Sequence, residues 1–333
     1  MAVAFMQNIA GRVPPAVLVA VSDHLKRVEE VLARETGSPV PTVHEVGRLT
    51  LEAGGKRLRP ALVAVSAGAC GAGTDAERLA CIGACIEMIH MASLVHDDVM
   101  DGADTRRGKP TAAATVGNEA AILSGDALLA RSMVILARDG DLTIIRETAE
   151  AVVRTVEGQV AEIASRGVSD LPLSSYLETI DGKTGALIEA CCRAGARIAG
   201  ADRAQTESLA TFGRHIGRAF QIVDDILDYR GDHRRTGKPW ATDLREGCAT
   251  WPYIDLLEHD DQPEWRRLLG RVEDDSQVEA LTEAMKRAGS FARVAGSARH
   301  EIAAAKEALR PLSPSAYVYL LAGVADFVVE RDL

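Results

Sequence analysis

Two acidic runs, Asp97-Asp98-Val99-Met100-Asp101 and Asp224-Asp225-Ile226-Leu227-Asp228, place carboxylates at positions i, i+1 and i+4. On a helix, residues four apart share a face. Asp97 and Asp101, like Asp224 and Asp228, would project side by side and repel. A divalent cation between them turns repulsion into attraction; two unit charges about 4 Å apart interact by roughly 4 kcal/mol at an effective dielectric of about 20. Oxygen-only donors select a hard cation, and Mg²⁺ shares its coordination with water and substrate phosphates. One such run is explained equally well by a solvated acidic helix end. Here both runs close an apolar stretch. Both also precede a basic, glycine-containing loop, Asp104–Pro110 in one case and Gly231–Lys238 in the other. Such loops supply donors for phosphate oxygens. Two sites of this kind facing a common cavity would hold several Mg²⁺ ions around one diphosphate.

A third basic group reads Gly54-Gly55-Lys56-Arg57-Leu58-Arg59-Pro60. Its glycines allow close backbone approach, and its cations suit phosphate. The spacing is not that of a nucleotide-binding P-loop.

These groups need rigid supports, and the sequence points to helices. Glycine and proline signals near Gly37–Pro39, Gly71–Gly73, Gly102–Gly117, Asp139-Gly140, Gly167–Pro172, Gly231–Gly247 and Asp260–Pro263 cut the chain into helix-length pieces. Leu79–Leu94, Ile122–Leu136 and Leu209–Tyr229 carry apolar residues at helical spacing. No alternating strand series or βαβ rhythm is evident. The expected fold is all-α: one large helical domain, 1–333, around a central apolar cavity.

The net charge of −10 excludes a general nucleic-acid binder, whose phosphate contacts need a basic surface. No window of about twenty residues lacks charge, so no membrane span is expected, and Ala316–Val329 reads as a closing core helix. Six cysteines without a CxxC pair suit a reducing cytoplasm.

The ordered set of motifs resembles the trans-isoprenyl (polyprenyl) diphosphate synthases over nearly the whole chain. It runs from Gly54–Pro60 through Glu87-Met88-Ile89-His90, the first aspartate run with Arg106-Arg107-Gly108, and Gly125-Asp126. It continues through Lys183-Thr184, Phe220-Gln221 with the second run, and Gly237-Lys238 with Asp243. The resemblance implies the isoprenoid-synthase helical bundle and a homodimer. It implies two or three Mg²⁺ ions held by Asp97, Asp101 and Asp224, with Asp98, Asp225 and Asp228 in support. Lys56, Arg59, His90 and Arg107 would bind isopentenyl diphosphate. Arg106, Lys183 and Lys238 would contact the allylic diphosphate, and Thr184 and Gln221 would turn oxygens toward the developing allylic cation. The lipid product would pass to membrane enzymes.

Three departures from the family pattern bear on the site. Cys248 stands where the family usually has lysine. Within Glu157–Glu162 the usual order of Glu and Gln is reversed, and aromatics are sparse. Non-catalytic subunits of heteromeric synthases typically lose the aspartate runs, which this chain keeps. A class I terpene cyclase would replace the second run with an Asn/Ser/Glu metal motif. The resemblance also places Ala92 and Ser93 in the product channel, where bulky residues stop elongation. Their small size favours a product longer than geranylgeranyl over a farnesyl or geranylgeranyl one, with Met133 as a candidate floor. Ala92→Phe is expected to shorten the product, as read by product chromatography; an unchanged distribution would reject this channel assignment.

Overall fold

The computed structural model describes residues 13–71, 74–230 and 240–330. Among them, helices dominate: α1 Pro15–Glu35, α2 Pro41–Glu52, α3 Leu58–Cys70, α4 Ala76–Met100, α5 Ala112–Val116, α6 Asn118–Asp139, α7 Leu142–Ala164, α8 Leu173–Ile180, α9 Ala186–Ile198, α10 Arg203–Arg230, α11 Thr242–Glu246, α12 Trp251–His259, α13 Pro263–Leu268, α14 Asp275–Ala288, α15 Ser290–Ala308 and α16 Ala316–Val329. A π-helical turn, Asp181–Gly185, joins α8 to α9. The strands are two-residue pieces, β1 Thr105–Arg106 and β2 Lys109–Pro110, paired antiparallel. The expected helical segments Leu79–Leu94, Ile122–Leu136 and Leu209–Tyr229 lie within α4, α6 and α10, and α16 coincides with the expected closing helix. The expected breaks Gly102–Gly117 and Gly231–Gly247 hold the short helices α5 and α11, and the breaks before α10 and α15 are not among those expected. The segment 231–239, which includes Gly237 and Lys238, lies outside the described residues.

The chain forms two compact units. One comprises Met1–Glu150, Ala190–Ala210 and Pro311–Leu321; the other comprises Ala151–Glu189, Thr211–Arg310 and Ala322–Leu333.

In the first unit, α4 is the central element and packs most extensively on α6, with α1 and α3 also against it. Asp75 caps its start by accepting from the Glu77 and Arg78 amides. Leu79, Ile82, Ile86, Met88, Ile89, Met91 and Val95 are all buried, on more than one face, as suits a core helix. By length and apolarity, α4 and α6 are each able to cross a membrane, but 72% of the α4 window is buried within this fold. A small apolar cluster of Val46, Val95, Ala112 and Ala121 clamps the end of α4 that carries the first aspartate run, with Val99 packed against it. Close approach also holds α9 to α3. A β-carbon on Gly195 would lie 2.2 Å from the Val63 carbonyl oxygen.

In the second unit, α12 contacts α14, α15 and α8, and α14 packs on α15. The part of α10 in this unit buries Phe212, Ile216, Ala219, Ile222, Val223, Ile226 and Tyr229, a helical stripe that sets which way Asp224 and Asp225 face.

Gly195→Ala forces a backbone to move rather than a side chain. It is expected to destabilise the fold by about 1–3 kcal/mol, measured by urea or thermal unfolding.

Candidate active site

Helical geometry splits each aspartate run in two. Asp97 and Asp101 share the accessible face of the last turn of α4, whereas Asp98, about 100° around the helix, is buried. Its Oδ1 accepts from Arg106 Nε at 2.7 Å. Burial raises the Asp98 pKa, Arg106 opposes that rise, and Asp101 adds to it. Arg106 is delivered by the β1–β2 hairpin. The two residues at its tip, Arg107 and Gly108, both have positive φ (54° and 77°), as a tight hairpin turn requires. Thr111 ties the loop back through its hydroxyl to the Ala103 carbonyl at 2.7 Å. Just before the run, His96 lies 3.4 Å from Asp126 and packs so closely on Gly125 that a β-carbon there would meet its ring at 2.4 Å. That contact accounts for the Gly125-Asp126 pair.

The basic motif before α3 sits in the same unit. Arg57 adopts a left-handed backbone (φ 48°) and is buried. Its guanidinium donates to Glu29 at 2.6 Å and to Glu87 at 3.0 Å. Arg107 donates to the Gly54 carbonyl, and Lys109 to the Glu52 carbonyl at 2.7 Å. The hairpin is thereby fastened to the turn that carries Lys56. His90 is held well below its usual pKa by burial, then by Arg59, Arg107, Arg106 and Arg57. Its uncharged form is favoured among these guanidinium groups. Burial, followed by Arg106 and Arg57, also lowers Arg107. Like charges held this close are stabilised by an anion such as diphosphate. Ala92 is buried and Ser93 half-buried, its hydroxyl bonded to the His90 carbonyl at 2.8 Å. Met133 is half-buried on α6.

The second run forms a separate constellation in the second unit. Asp225 is only 2% exposed and both its oxygens are engaged. Tyr176 Oη donates to Oδ2 at 2.6 Å, and Gln221 Nε2 donates to Oδ1 at 2.8 Å. Burial pushes its pKa up to about 7 against those two hydrogen bonds. Asp228 accepts from the backbone amides of Thr242 (3.1 Å) and Asp243 (3.0 Å), so it caps α11. Asp224 sits on the half-buried face.

Lys183 and Thr184 lie in the π-helical turn, whose position depends on absent side chains. A β-carbon on Gly158 would lie 2.4 Å from the Lys183 amide nitrogen, and one on Gly217 2.7 Å from Gly185 Cα. Lys183 Nζ meets Glu162 at 2.6 Å, and the Thr184 hydroxyl donates to Gln221 Oε1 at 2.8 Å.

The structure therefore gathers Lys56, Arg59, His90, Asp97, Asp98, Asp101, Arg106 and Arg107 in one unit. It gathers Lys183, Thr184, Gln221, Asp224, Asp225 and Asp228 in the other. Lys238 lies outside the described residues. The partners Glu29, Tyr176 and Glu162 are not visible as site residues in the sequence, because each meets its target across 21 to 49 residues. The one available signal was the Glu/Gln reversal, which puts an acid at 162. Cys248 is buried and pushed up to about 12 by burial, Glu162 and Asp243, so it is a neutral thiol. Asp243 is pushed well above the carboxylate range by burial, then by Asp228, Asp225 and Glu162, with Lys183 opposing.

The donors suit a hard divalent cation. Asp97, Asp101 and Asp224 offer carboxylate oxygens on partly accessible faces, beside buried carboxylates already bonded to protein. Asp255, Glu258 and His259 also bring ligand atoms within 4.8 Å of one another. There Arg293 grips both Asp255 oxygens at 3.0 and 2.6 Å and already supplies a cation.

A helical fold with two aspartate runs, each backed by cations, defines a diphosphate-handling class. Comparison gives the family: residues 40–287 match the polyprenyl synthetase family, to which this chain belongs. The nonaprenyl diphosphate synthase of Mycobacterium tuberculosis is 40% identical over 94% of this chain and 93% of its own. A decaprenyl diphosphate synthase from Rhodobacter capsulatus superposes with a TM-score of 0.88 at 31% identity, covering 99% of each chain. A polyprenyl synthase from Caulobacter crescentus, solved with calcium and isoprenyl diphosphate, gives 0.87 at 29% identity over 100% and 98% of the two chains. The all-α isoprenoid-synthase fold expected from the sequence is the fold observed.

His90→Gln keeps a neutral donor among the guanidinium groups. It is expected to leave the affinity for inorganic diphosphate, measured without metal, within about threefold, whereas His90→Glu weakens it at least about tenfold by facing the anion with a like charge. Calorimetric titration reads both.

Proposed function

We propose that this prenyltransferase condenses isopentenyl diphosphate head-to-tail with an allylic diphosphate, repeatedly, to give an all-trans polyprenyl diphosphate longer than geranylgeranyl. The observation that carries the reading is the cationic cluster of the first unit, where Arg57 spans Glu29 and Glu87 and Arg107 is fastened to the Gly54 carbonyl beside Lys56. It is a second anion site beyond the aspartate runs, which a one-substrate cyclase would not use. The intact runs argue against a non-catalytic subunit.

In this reading Lys56, Arg59, His90 and Arg107 hold isopentenyl diphosphate. Arg106, Lys183 and Lys238 hold the allylic diphosphate. Asp97, Asp101 and Asp224 are the principal Mg²⁺ ligands, with Asp98, Asp225 and Asp228 shaping the run around them. Two or three bound Mg²⁺ ions would neutralise the leaving diphosphate. The chain's own part is to screen that charge with lysine and arginine so that the allylic C–O bond ionises. Thr184 and Gln221 then face the developing cation with oxygen. The double bond of isopentenyl diphosphate attacks the cation, and the proton lost passes to the departing diphosphate. Small Ala92 and Ser93 leave room for growth, and the names of the relatives, nonaprenyl and decaprenyl, support a long product.

The family match takes in residues of both units, which supports treating 1–333 as one catalytic domain. Exposed Ile122, Leu123 and Val134 on α6, and Leu142, Val153, Val156 and Val160 on α7, support a homodimer. Six free thiols support a cytoplasmic setting, from which the lipid product passes to membrane enzymes.

Purified protein with Mg²⁺, isopentenyl diphosphate and farnesyl diphosphate should yield products beyond geranylgeranyl, and chelation with EDTA should abolish them. No elongation would sink the reading; cyclised hydrocarbon formed without isopentenyl diphosphate would replace it with the cyclase.

A further inference from the structure

Asp225 lies in the middle of a four-residue hydrogen-bond chain drawn from three elements. Tyr176 is on α8, Thr184 in the π-helical turn, and Gln221 and Asp225 on α10. Tyr176 donates to Asp225 Oδ2 (2.6 Å), Gln221 Nε2 donates to Asp225 Oδ1 (2.8 Å), and Thr184 Oγ1 donates to Gln221 Oε1 (2.8 Å). All four side chains lie in the same unit.

The polarity of this chain matters more than its existence. A phenol has one hydrogen, and here it is spent on Asp225. With one oxygen held by Tyr176, the other is directed at Gln221 and accepts from its NH₂ group. The Gln221 amide is thereby fixed in one of its two orientations, its carbonyl oxygen toward Thr184. A carbonyl oxygen only accepts, so the single hydroxyl hydrogen of Thr184 is spent on it. What Thr184 has left to present is lone pairs.

We propose that Tyr176 is a positioning residue for the prenyl-transfer reaction, which anchors Asp225 so that Gln221 and then Thr184 face the developing allylic cation as acceptors and never as donors. This rests on the prenyltransferase reading above. Tyr176 is itself placed by packing. It is buried, and its ring meets Trp251 edge-on with centroids 6.0 Å apart. The phenol's one hydrogen goes to Asp225, so it acts through the side chains of Asp225, Gln221 and Thr184. Without it, Asp225 turns freely about its side-chain torsions, the amide loses its preferred orientation, and the Thr184 hydroxyl is released to point its hydrogen at the cation.

The test uses Tyr176→Phe, which keeps the ring on Trp251 and removes only the hydroxyl. Elongation kinetics should show kcat lowered about tenfold, with KM for both diphosphates within about twofold, because no substrate contact is lost. In a Thr184→Val background the same change should lower kcat by clearly less than in the wild type, since only the Gln221 part of the chain is left to misalign. A second readout compares two ligands. An ammonium analogue, with a charged nitrogen in place of the reacting allylic carbon, should bind Tyr176→Phe about tenfold more weakly. A neutral allylic thiodiphosphate should bind as before.

Unchanged kcat in Tyr176→Phe would overturn the proposal. So would effects that multiply in the double variant, KM rising in step with the loss of kcat, or equal weakening of both analogues. Should Tyr176→Phe fail to fold, Thr184→Val and Thr184→Ser are compared against the same two ligands. Serine keeps the acceptor and should retain ammonium selectivity where valine loses it; equal binding by the two variants would overturn the proposal. A wild-type protein that elongates normally while these comparisons fail separates this inference from the prenyltransferase reading itself.

Discussion

A carboxylate buried in a helical core must be met by donors, and the candidate site is organised around that requirement. The middle aspartate of each run, Asp98 or Asp225, is turned into the protein by the same geometry that turns its neighbours toward solvent. Each unmet buried carboxylate would cost several kcal/mol. Asp98 is met by Arg106, which explains the hairpin and its left-handed tip. Asp225 is met by Tyr176 and Gln221, which accounts for the seating of α8 and the amide orientation. Satisfying the buried acid positions the accessible ones.

The basic group follows the converse logic. Four guanidinium groups around His90 repel one another, and the protein offsets part of that repulsion with its own acids. Glu29 and Glu87 both hold Arg57, locking the turn between Gly54 and Leu58. One Glu87 oxygen remains buried without a hydrogen-bond partner, and so does Arg59 Nε. Polar groups left this way need a partner from outside the protein, a donor for the Glu87 oxygen and an acceptor for Arg59 Nε.

Two of the departures from the family pattern, Cys248 and the Glu/Gln reversal, meet at one place. Cys248 removes a cation and the reversal moves an acid to position 162, where it meets Lys183 and, with Asp243, raises the Cys248 thiol. The lost lysine makes the surroundings of the second run more negative than the family pattern, whereas the reversal relocates a charge without adding one. Lys183 partly balances this, since Glu162 and Asp243 both feel its charge.

The sequence by itself determined the helical architecture, many of the turn positions, both aspartate runs and the basic motif before α3. Each is a local property: apolar spacing of 3.6 residues, glycine and proline at breaks, and charges within one or two turns of a helix. It also located the Glu/Gln reversal at Glu157–Glu162, without showing what it faced. Only the tertiary structure decided which aspartate of each run turns inward. It alone showed that Arg106 serves Asp98, and that Tyr176 and Glu162 stand over Asp225 and Lys183. Those pairings join residues up to 49 apart, and only packing fixes them. Gly158 and Gly217 show why: the π-helical turn holds Thr184 in place because neighbouring helices approach where no β-carbon fits, and spacing along the chain carries no record of that contact.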